Sequence, residues 1–209
     1  MAADKQSYHK GNVRESLIEA AEKVLQAEGL QALSLRRLAR EVGVAPSAIY
    51  NHFKNREALL GAIAADGFNQ LTALEVNRYT GTEKSADVIM QIGRDYLRFA
   101  AANPELYRLM FSPDVVSFRT DPEVEAAGDT SFGASVDWWY GEGVFDPGAS
   151  AMSYPYALAS WAIMHGLAMQ MIDGLVTLDR NDPRAVEALA DAALGVFMAG
   201  AGEGLPKTT

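Results

Sequence analysis

The stretch at residues 34–60, SLRRLAREVGVAPSAIYNHFKNREALL, constrains the fold of this chain more than any other. It begins with Ser34, a residue type that caps helices, and continues with apolar residues at the spacing of one helical face. Gly43 falls where a left-handed residue ends a helix, and Pro46 suits the first turn of the next. Asn55 is then predicted to cap a longer helix. Two short helices joined by a turn with glycine are typical of a helix-turn-helix, whose second helix enters the DNA major groove.

A more specific motif lies within this stretch, GVAPSAIYNHFKNREALL at residues 43–60. With its flanks, roughly residues 13–63, it resembles the tetracycline-repressor (TetR) family of bacterial regulators. Three positions depart from the family pattern. Ala45 stands where the family often has a Ser or Thr cap, and Ala48 stands where Thr is common. Arg56 replaces the usual Lys while keeping its positive charge. The residues that carry the resemblance most strongly are Tyr50, His52, Phe53, Arg56, Glu57 and Leu59.

The resemblance implies a set of DNA contacts around the second short helix. Tyr50 and His52 are expected to contact phosphates, whereas Ser47, Ala48 and Asn51 are expected to face base edges. Asn can read adenine with two hydrogen bonds, and an Ala methyl can touch a thymine methyl. The alternative is a solvated helix face. Basic residues on either side are interpreted as phosphate contacts, which position a protein without reading sequence. The full predicted set is Ser34, Arg36, Arg37, Ser47, Ala48, Tyr50, Asn51, His52, Lys54 and Arg56.

The charge of the whole chain, −9, argues at first against nucleic acid. The charge is unevenly distributed, however. Residues 1–60 carry nine Lys or Arg and seven Asp or Glu, whereas residues 61–209 carry nine and twenty. Phosphate binding needs local positive charge rather than a basic protein, so DNA remains the expected partner.

Helical periodicity continues to the end of the chain and predicts an all-α fold of about nine helices. A helix-turn-helix DNA-binding domain is expected at residues 1–58, behind a solvated arm at 1–11. A ligand-binding and dimerisation domain is expected at 59–209. Loops are predicted at 112–122 and 141–148, the second because of its turn residues. Outside the helix-turn-helix, the predicted helices are 12–28, 56–79, 83–102, 105–111, 123–127, 131–140, 149–175 (helix 8) and 183–201 (helix 9).

Helix 8 contains SWAIMHGLAMQM, which resembles the Trp-His-Gly pattern of one C-terminal subfamily of these regulators. Two interpretations of Trp161 and His165, four residues apart, stay open: a wall of a ligand pocket, or a core histidine with a buried partner. Met and aromatic residues adapt to varied apolar ligands, but they also fill ordinary helical cores. The predicted ligand-binding residues are Tyr107, Met110, Phe111, Trp138, Trp161, Met164, His165 and Met169.

Helices 8 and 9 are also predicted to form a homodimer interface. Helix 8 is apolar on nearly all sides, so more than one side should be covered. Helix 9 carries small residues, Ala192, Gly195 and Ala199, on one face. Four such helices can form a bundle across a two-fold axis.

Several classes of site are not expected. The chain has no cysteine, and its three histidines are far apart, so we predict no metal and no cofactor. Without a nucleophile elbow or a phosphate-binding loop we predict no catalytic residue, although an enzyme using His165 is a rival interpretation. The N-terminus lacks a signal peptide, and polar residues interrupt the apolar stretch at 154–176. A cytoplasmic protein that does not span the membrane is therefore expected.

The resemblance implies a regulator of transcription. We expect a repressor that binds an inverted-repeat operator in double-stranded DNA as a homodimer. A small apolar or aromatic effector is expected to release it. The alternative is a DNA-binding regulator controlled by a protein partner or by no ligand.

Overall fold

The computed structural model describes residues 13–76, 85–116 and 122–201. Within these residues all regular structure is helical, which confirms the expected all-α fold. None of the described helices is both long enough and apolar enough to cross a membrane. Short 3-10 segments lie at Leu30–Ala32, Ala48–Asn51 and Ala151–Ser153. The α-helices are α1 Val13–Glu28, α2 Leu35–Val42, α3 Arg56–Val76, α4 Ala86–Ala102, α5 Pro104–Met110, α6 Pro113–Val116, α7 Pro122–Tyr140, α8 Pro155–Ile172 and α9 Pro183–Ala201.

Helix ends follow the predicted capping residues with one exception. Gly43 adopts the left-handed conformation, with φ of 76°, directly after α2. The Asn55 side chain accepts a hydrogen bond of 2.8 Å from a backbone N–H in the first turn of α3. Asp182 accepts one of 3.0 Å at the start of α9. Ser34 occupies the N-cap position of α2 in an extended conformation, but its hydroxyl makes no capping hydrogen bond. The prediction for Ser34 was therefore right about position and wrong about the side-chain bond.

The largest correction concerns the second helix of the helix-turn-helix. The sequence predicted a short α-helix, whereas the structure has a turn at residues 46–47 and then the 3-10 segment Ala48–Asn51. A 3-10 helix is wound more tightly and has poorer hydrogen-bond geometry than an α-helix, so runs longer than three or four residues are uncommon. This segment therefore depends on its neighbours for its position.

Other boundaries also differ from the predictions. The predicted loop at 112–122 contains α6, and the two helices predicted at 123–127 and 131–140 are one helix, α7. Gly128, Asp129 and Thr130 do not break α7, because buried residues on both sides of them hold the helix in place. The buried residues of α7 are Val124, Ala127, Gly133 and Val136.

At α8 the helix starts at Pro155 rather than at residue 149, since proline suits a first turn and the preceding residues form a 3-10 segment. The helix ends at Ile172 rather than at residue 175. The predicted arm at 1–11, the helix end at 77–79 and the helix start at 83–84 lie outside the described residues.

The chain packs as two compact units, of which the first comprises residues 1–67 and 105–125. In its described part, α1, α2 and the start of α3 enclose a core around Leu17, Leu38 and Ile49, each fully buried. The guanidinium of Arg14 on α1 lies 5.5 Å from the centre of the Phe53 ring, just after the 3-10 segment. The first helix therefore packs against the helix-turn-helix.

The second unit comprises residues 68–104 and 126–209, and α4 packs there against α8 and α9. Arg94 on α4 donates two hydrogen bonds, of 2.7 and 3.0 Å, to Asp191 on α9. One turn later Arg98 pairs with Glu187 of α9 and with the buried Asp95 of its own helix. Packing units need not coincide with functional domains, so the boundary expected between residues 58 and 59 stays a prediction.

Candidate nucleic-acid interface and effector site

The segment predicted to read DNA is oriented by two buried anchors. Ile49 is fully buried and Phe53 is 2% exposed. Between them, Tyr50, Asn51 and His52 are exposed, and the Tyr50 side chain is 51% exposed. Because the anchors bury one side of this short segment, the three polar side chains between them face solvent together. Three consecutive exposed residues thus carry one phenol, one amide and one imidazole, all able to donate hydrogen bonds.

Other predicted DNA contacts flank this row of side chains. Ser47 is exposed in the turn before the segment, and Lys54 is exposed just after Phe53. Ala48 is half-buried, so only part of its methyl surface is accessible. Ser34, at the start of α2, is exposed.

Arg37 on α2 is already bound to two carboxylates of its own chain. It donates hydrogen bonds of 2.7 and 2.5 Å to Glu28 at the end of α1, and one of 2.8 Å to Glu41. The hydrogen bond to Arg37 lowers the pKa of Glu28, and the two carboxylates raise the pKa of Arg37 above its ordinary range. A phosphate that approaches Arg37 therefore competes with two charges already in place.

Arg56, the first residue of α3, is engaged with the backbone instead. Its Nη2 donates a hydrogen bond of 2.8 Å to the Leu30 carbonyl, and its Nε donates one of 3.4 Å to the Leu33 carbonyl. Both carbonyls belong to the connection between α1 and α2. The side chain is half-buried. Arg56, which was predicted to contact a phosphate, thus already donates hydrogen bonds to two backbone carbonyls.

Arg36 and Arg40 differ from these two arginines, because both are exposed and neither forms an ion pair within the described residues. They lie four residues apart on one face of α2, where successive turns bring side chains together. Arg40 was not in the predicted set of DNA contacts. Its spacing from Arg36 was the signal that could have included it.

On α8, Trp161 and His165 stack on each other, with ring centroids 5.3 Å apart and planes inclined by 13°. Burial lowers the pKa of His165, since the charged imidazolium is poorly solvated there. The imidazole is therefore favoured in its neutral form, which can both donate and accept a hydrogen bond. The structure brings these two predicted residues together, as the spacing indicated.

A cluster of aromatic rings joins α7 to α8. Trp139 stacks on Tyr156 at 5.5 Å, and its indole N–H donates a hydrogen bond of 3.0 Å to the Ser160 hydroxyl. The ring of Phe132, at one side of the cluster, packs edge to face against the ring of Trp161. The indole N–H of Trp138 is buried and has no hydrogen-bond partner within the described part of the chain. Phe132 and Tyr156 were absent from the predicted ligand residues, although Phe132 and Trp139 lie seven residues apart on one helix.

The eight predicted ligand residues fall in both packing units. Tyr107 is fully buried, and its ring lies 4.9 Å from that of Phe111. Met110 packs closely against α3, because its sulfur lies 2.8 Å from the place that a Cβ on Gly67 would take. These three residues belong to the first unit, where Tyr107 and Met110 are buried and Phe111 is half-buried. The other five, all in the second unit, are Trp138, Trp161, Met164, His165 and Met169.

Comparison with known families finds two matches that together span most of the chain. Residues 17–63 match the model described as "Bacterial regulatory proteins, tetR family". Residues 89–197 match "Tetracyclin repressor-like, C-terminal domain". The more specific Trp-His-Gly subfamily stays a prediction.

Solved structures share the fold over nearly the whole chain. A protein of unknown function from Rhodococcus sp. RHA1 is 31% identical, with a TM-score of 0.70 over 94% of this chain and 98% of that one. A transcriptional regulator from the same organism is 20% identical, with a TM-score of 0.62 over 90% and 97%. A TetR variant from Acinetobacter baumannii AYE, in complex with minocycline, is 17% identical, with a TM-score of 0.60 over 92% and 98%.

Proposed function

Because the chain belongs to the tetR family of bacterial regulatory proteins, we propose that it is a repressor that binds an inverted-repeat operator as a homodimer and is released by a small molecule. One observation carries the DNA-binding part of this proposal. The exposed row of Tyr50, Asn51 and His52 stands on the buried anchors Ile49 and Phe53. A short segment with this exposure can enter a major groove while its inner side stays in the protein core.

The residues of this surface divide by chemistry into those proposed to contact base edges and those proposed to contact the DNA backbone. Asn51, with an amide that can pair with adenine, and Ser47 are proposed to face base edges, together with the methyl of Ala48. Tyr50 and His52 are proposed to donate hydrogen bonds to phosphates. The exposed cations Arg36, Arg40 and Lys54, and the hydroxyl of Ser34, are proposed to hold the DNA backbone on either side.

We propose that the homodimer forms through α8 and α9. The outer face of α9 is exposed and nearly free of charge, with Ala192, Gly195 and Ala199 close to Val196, which is 77% exposed. An exposed apolar side chain among small residues is suited to close packing against a second copy of the same helix. A two-fold dimer would present two recognition segments, residues 48–53 of each copy, to two operator half-sites. These half-sites would lie about 34–36 Å apart, which is one helical turn of DNA.

The proposed effector is a small apolar or aromatic molecule bound by the larger domain, beside Trp161 and His165. The stacked pair offers an aromatic face and one neutral polar group, a combination that suits an aromatic ligand with a single hydrogen-bonding group. The related fold from Acinetobacter baumannii AYE, whose complex contains minocycline, supports a small-molecule site. The effector must bind the released conformation better than the DNA-bound one, since only a difference in affinity shifts the equilibrium. Movement of α3, which continues from the DNA-binding segment, would change the half-site spacing.

The DNA-binding proposal is tested by incubating the purified protein with sheared DNA of its source genome and sequencing the fragments it retains. Enrichment of a few promoter fragments that share an inverted repeat is expected. The Asn51→Ala protein, run in parallel, should retain a different or less sharply defined set. Retention of fragments without any shared sequence would contradict the proposal that the protein is a sequence-specific regulator.

The effector proposal needs a separate experiment. Aromatic and apolar compounds are screened for those that raise the melting temperature and release the selected operator. With such a compound, His165→Phe should bind the operator normally but resist release. Release of the His165→Phe protein at the same compound concentration would contradict the role of His165 as a polar anchor.

The alternative is a DNA-binding regulator governed by a protein partner or by no ligand. The stacking of Trp139 on Tyr156, and the buried positions of Tyr107 and Met110, favour this alternative. Under it, no compound in the screen raises the melting temperature, and His165→Phe lowers that temperature because a core contact is lost.

A further inference from the structure

Arg56 connects the two ends of the helix-turn-helix. Its guanidinium belongs to the first residue of α3, whereas its acceptors, the carbonyls of Leu30 and Leu33, lie just before α2. Residues 34–55, which include all of α2 and the 3-10 segment, therefore lie between the donor and its acceptors in sequence. We propose that Arg56 is a positioning residue that fixes the recognition segment relative to α2, rather than a phosphate contact. This inference rests on the proposed DNA-binding function.

The recognition segment needs contacts from outside itself to fix its orientation. Its 3-10 segment, Ala48–Asn51, has four residues, and only Ile49 and Phe53 anchor it in the core. A 3-10 turn has weaker internal hydrogen bonds than an α-helix, so the segment does not fix its own orientation. Its orientation depends on how firmly the elements on either side of it are held together.

The carbonyls of Leu30 and Leu33 also need the donors of Arg56. Leu33 is 3% exposed, and a backbone carbonyl in such a place is costly without a donor. The Leu30 carbonyl accepts from Arg56 and also from the Leu33 N–H, at 3.3 Å, so one atom joins the turn to α3. Removal of the guanidinium would leave both carbonyls with fewer donors and would loosen the connection between α1 and α2.

The shape of the side chain matters here more than its charge. Nε and Nη2 lie on one edge of a rigid planar group, so a single arginine reaches two carbonyls at once. A lysine has the same charge, but it carries one ammonium at the end of a flexible chain and has no such edge. Arg56→Lys therefore separates positioning from charge. Lys54, exposed two residues earlier, is the matched control for a cation that contacts phosphate.

The experiment measures the affinity of four proteins for two duplexes over a range of salt concentrations. The proteins are the unmutated chain, Arg56→Lys, Arg56→Ala and Lys54→Ala. The duplexes are one selected from random sequence by the unmutated protein and one nonspecific duplex of equal length. For Arg56→Lys we expect a loss of roughly 5- to 150-fold on the selected duplex, the effect of misplacing one good base contact. Affinity for the nonspecific duplex and the salt dependence should stay unchanged.

The Lys54→Ala control should behave differently, with weaker binding to both duplexes and a salt slope that is flatter by about one. The positioning role is overturned if Arg56→Lys binds as the unmutated chain does while Arg56→Ala flattens the salt slope as Lys54→Ala does. That result would make Arg56 a phosphate contact.

A second measurement does not depend on DNA. The backbone N–H groups of Ala32 and Leu33 form the turn that Arg56 holds, with hydrogen bonds of 3.2 and 3.3 Å. In free Arg56→Lys these amides should exchange with solvent roughly tenfold faster or more, as expected for loss of a charged hydrogen bond. Unchanged exchange would overturn the inference even if the protein bound no DNA. Absence of DNA binding by the unmutated chain, with faster exchange in the variant, would instead overturn the proposed function alone.

Discussion

Val196→Arg on α9 tests the proposed dimer most directly, because Val196 is largely exposed among the described residues. Val196 is 77% exposed, and apart from chain neighbours and the nearby backbone of α9, no described atom lies within 4 Å of the place that a Cβ on Gly195 would take. The opposite face of α9 carries Val186, Ala190 and Leu194, each at most 1% exposed. An arginine at position 196 should therefore leave the core of the protomer intact, so that a loss of function reports on the partner.

The expected loss can be estimated from the area now exposed. Full burial of a valine side chain contributes about 1.5–3 kcal/mol, and a two-fold interface contains two copies of Val196. With about three-quarters of that surface available for burial, the dimer should lose roughly 2–5 kcal/mol. The dimer dissociation constant should therefore rise by about one and a half to three and a half powers of ten. An unpaired guanidinium in the interface would increase the loss.

Sedimentation equilibrium over a range of concentrations measures this constant, and titration of the selected operator measures DNA binding. Ala126→Arg, at an exposed position of α7, is the matched control and should leave both unchanged. Val196→Arg should bind the inverted repeat far more weakly, while binding to an isolated half-site changes little. A Val196→Arg dimer as stable as the unmutated one would show that this face of α9 is not the interface. A monomeric unmutated protein would refute the dimer itself.

Four further outcomes follow from the described contacts. Tyr50→Ala should weaken binding to all duplexes by similar factors in gel-shift titrations, because a phosphate contact carries no sequence information. Asn51→Ala should cost about 1–3 kcal/mol on the selected operator and relax selection at one base pair, and equal losses on all operator variants would reassign Asn51 to a phosphate. Burial lowers the pKa of His165 below its ordinary 6.5, so its contribution to stability is present above pH 6.5 and is lost as the pH falls through the lower, folded-state pKa. Melting curves should show this acid-side loss in the unmutated protein, and a His165→Phe protein with the same pH dependence would contradict it. Trp139→Phe removes the donor to Ser160 and should lower the free energy of unfolding by about 1–3 kcal/mol in urea titrations, whereas no change would show that this hydrogen bond contributes nothing.

Where a helix end is decided by one residue, the sequence was sufficient to predict it. Helix α9 has the predicted bounds because Asp182 caps it and Pro183 opens it. Gly43 and Asn55 act as expected for the same reason, since capping chemistry is local. The continuous helix α7 was missed because its middle, Gly128 to Thr130, has the residue types of a break. Only the burial of residues on both sides, which sequence does not show, keeps the helix intact.

The recognition segment shows a different limit. Ile49 and Phe53, four residues apart, are both buried, and this helical spacing is readable in the sequence. The same spacing could not distinguish an α-helix from a 3-10 turn over only four residues. The exposed row of side chains was therefore predictable, whereas the backbone that presents it was not.

Basic residues near the DNA-binding segment look alike in the sequence, and their partners give them different roles. Arg37 could have been paired with Glu41 from their spacing of four residues, but its bond to Glu28 joins two helices and is visible only in the fold. In the sequence Arg56 looks like a phosphate contact, whereas in the structure its guanidinium donates to carbonyls of the connection between α1 and α2. If Arg37 and Arg56 have the proposed roles, a count of positive charges overstates the number of phosphate contacts. Since each true contact adds about one unit to the salt dependence of binding, that dependence measures how many of these cations are free to hold DNA.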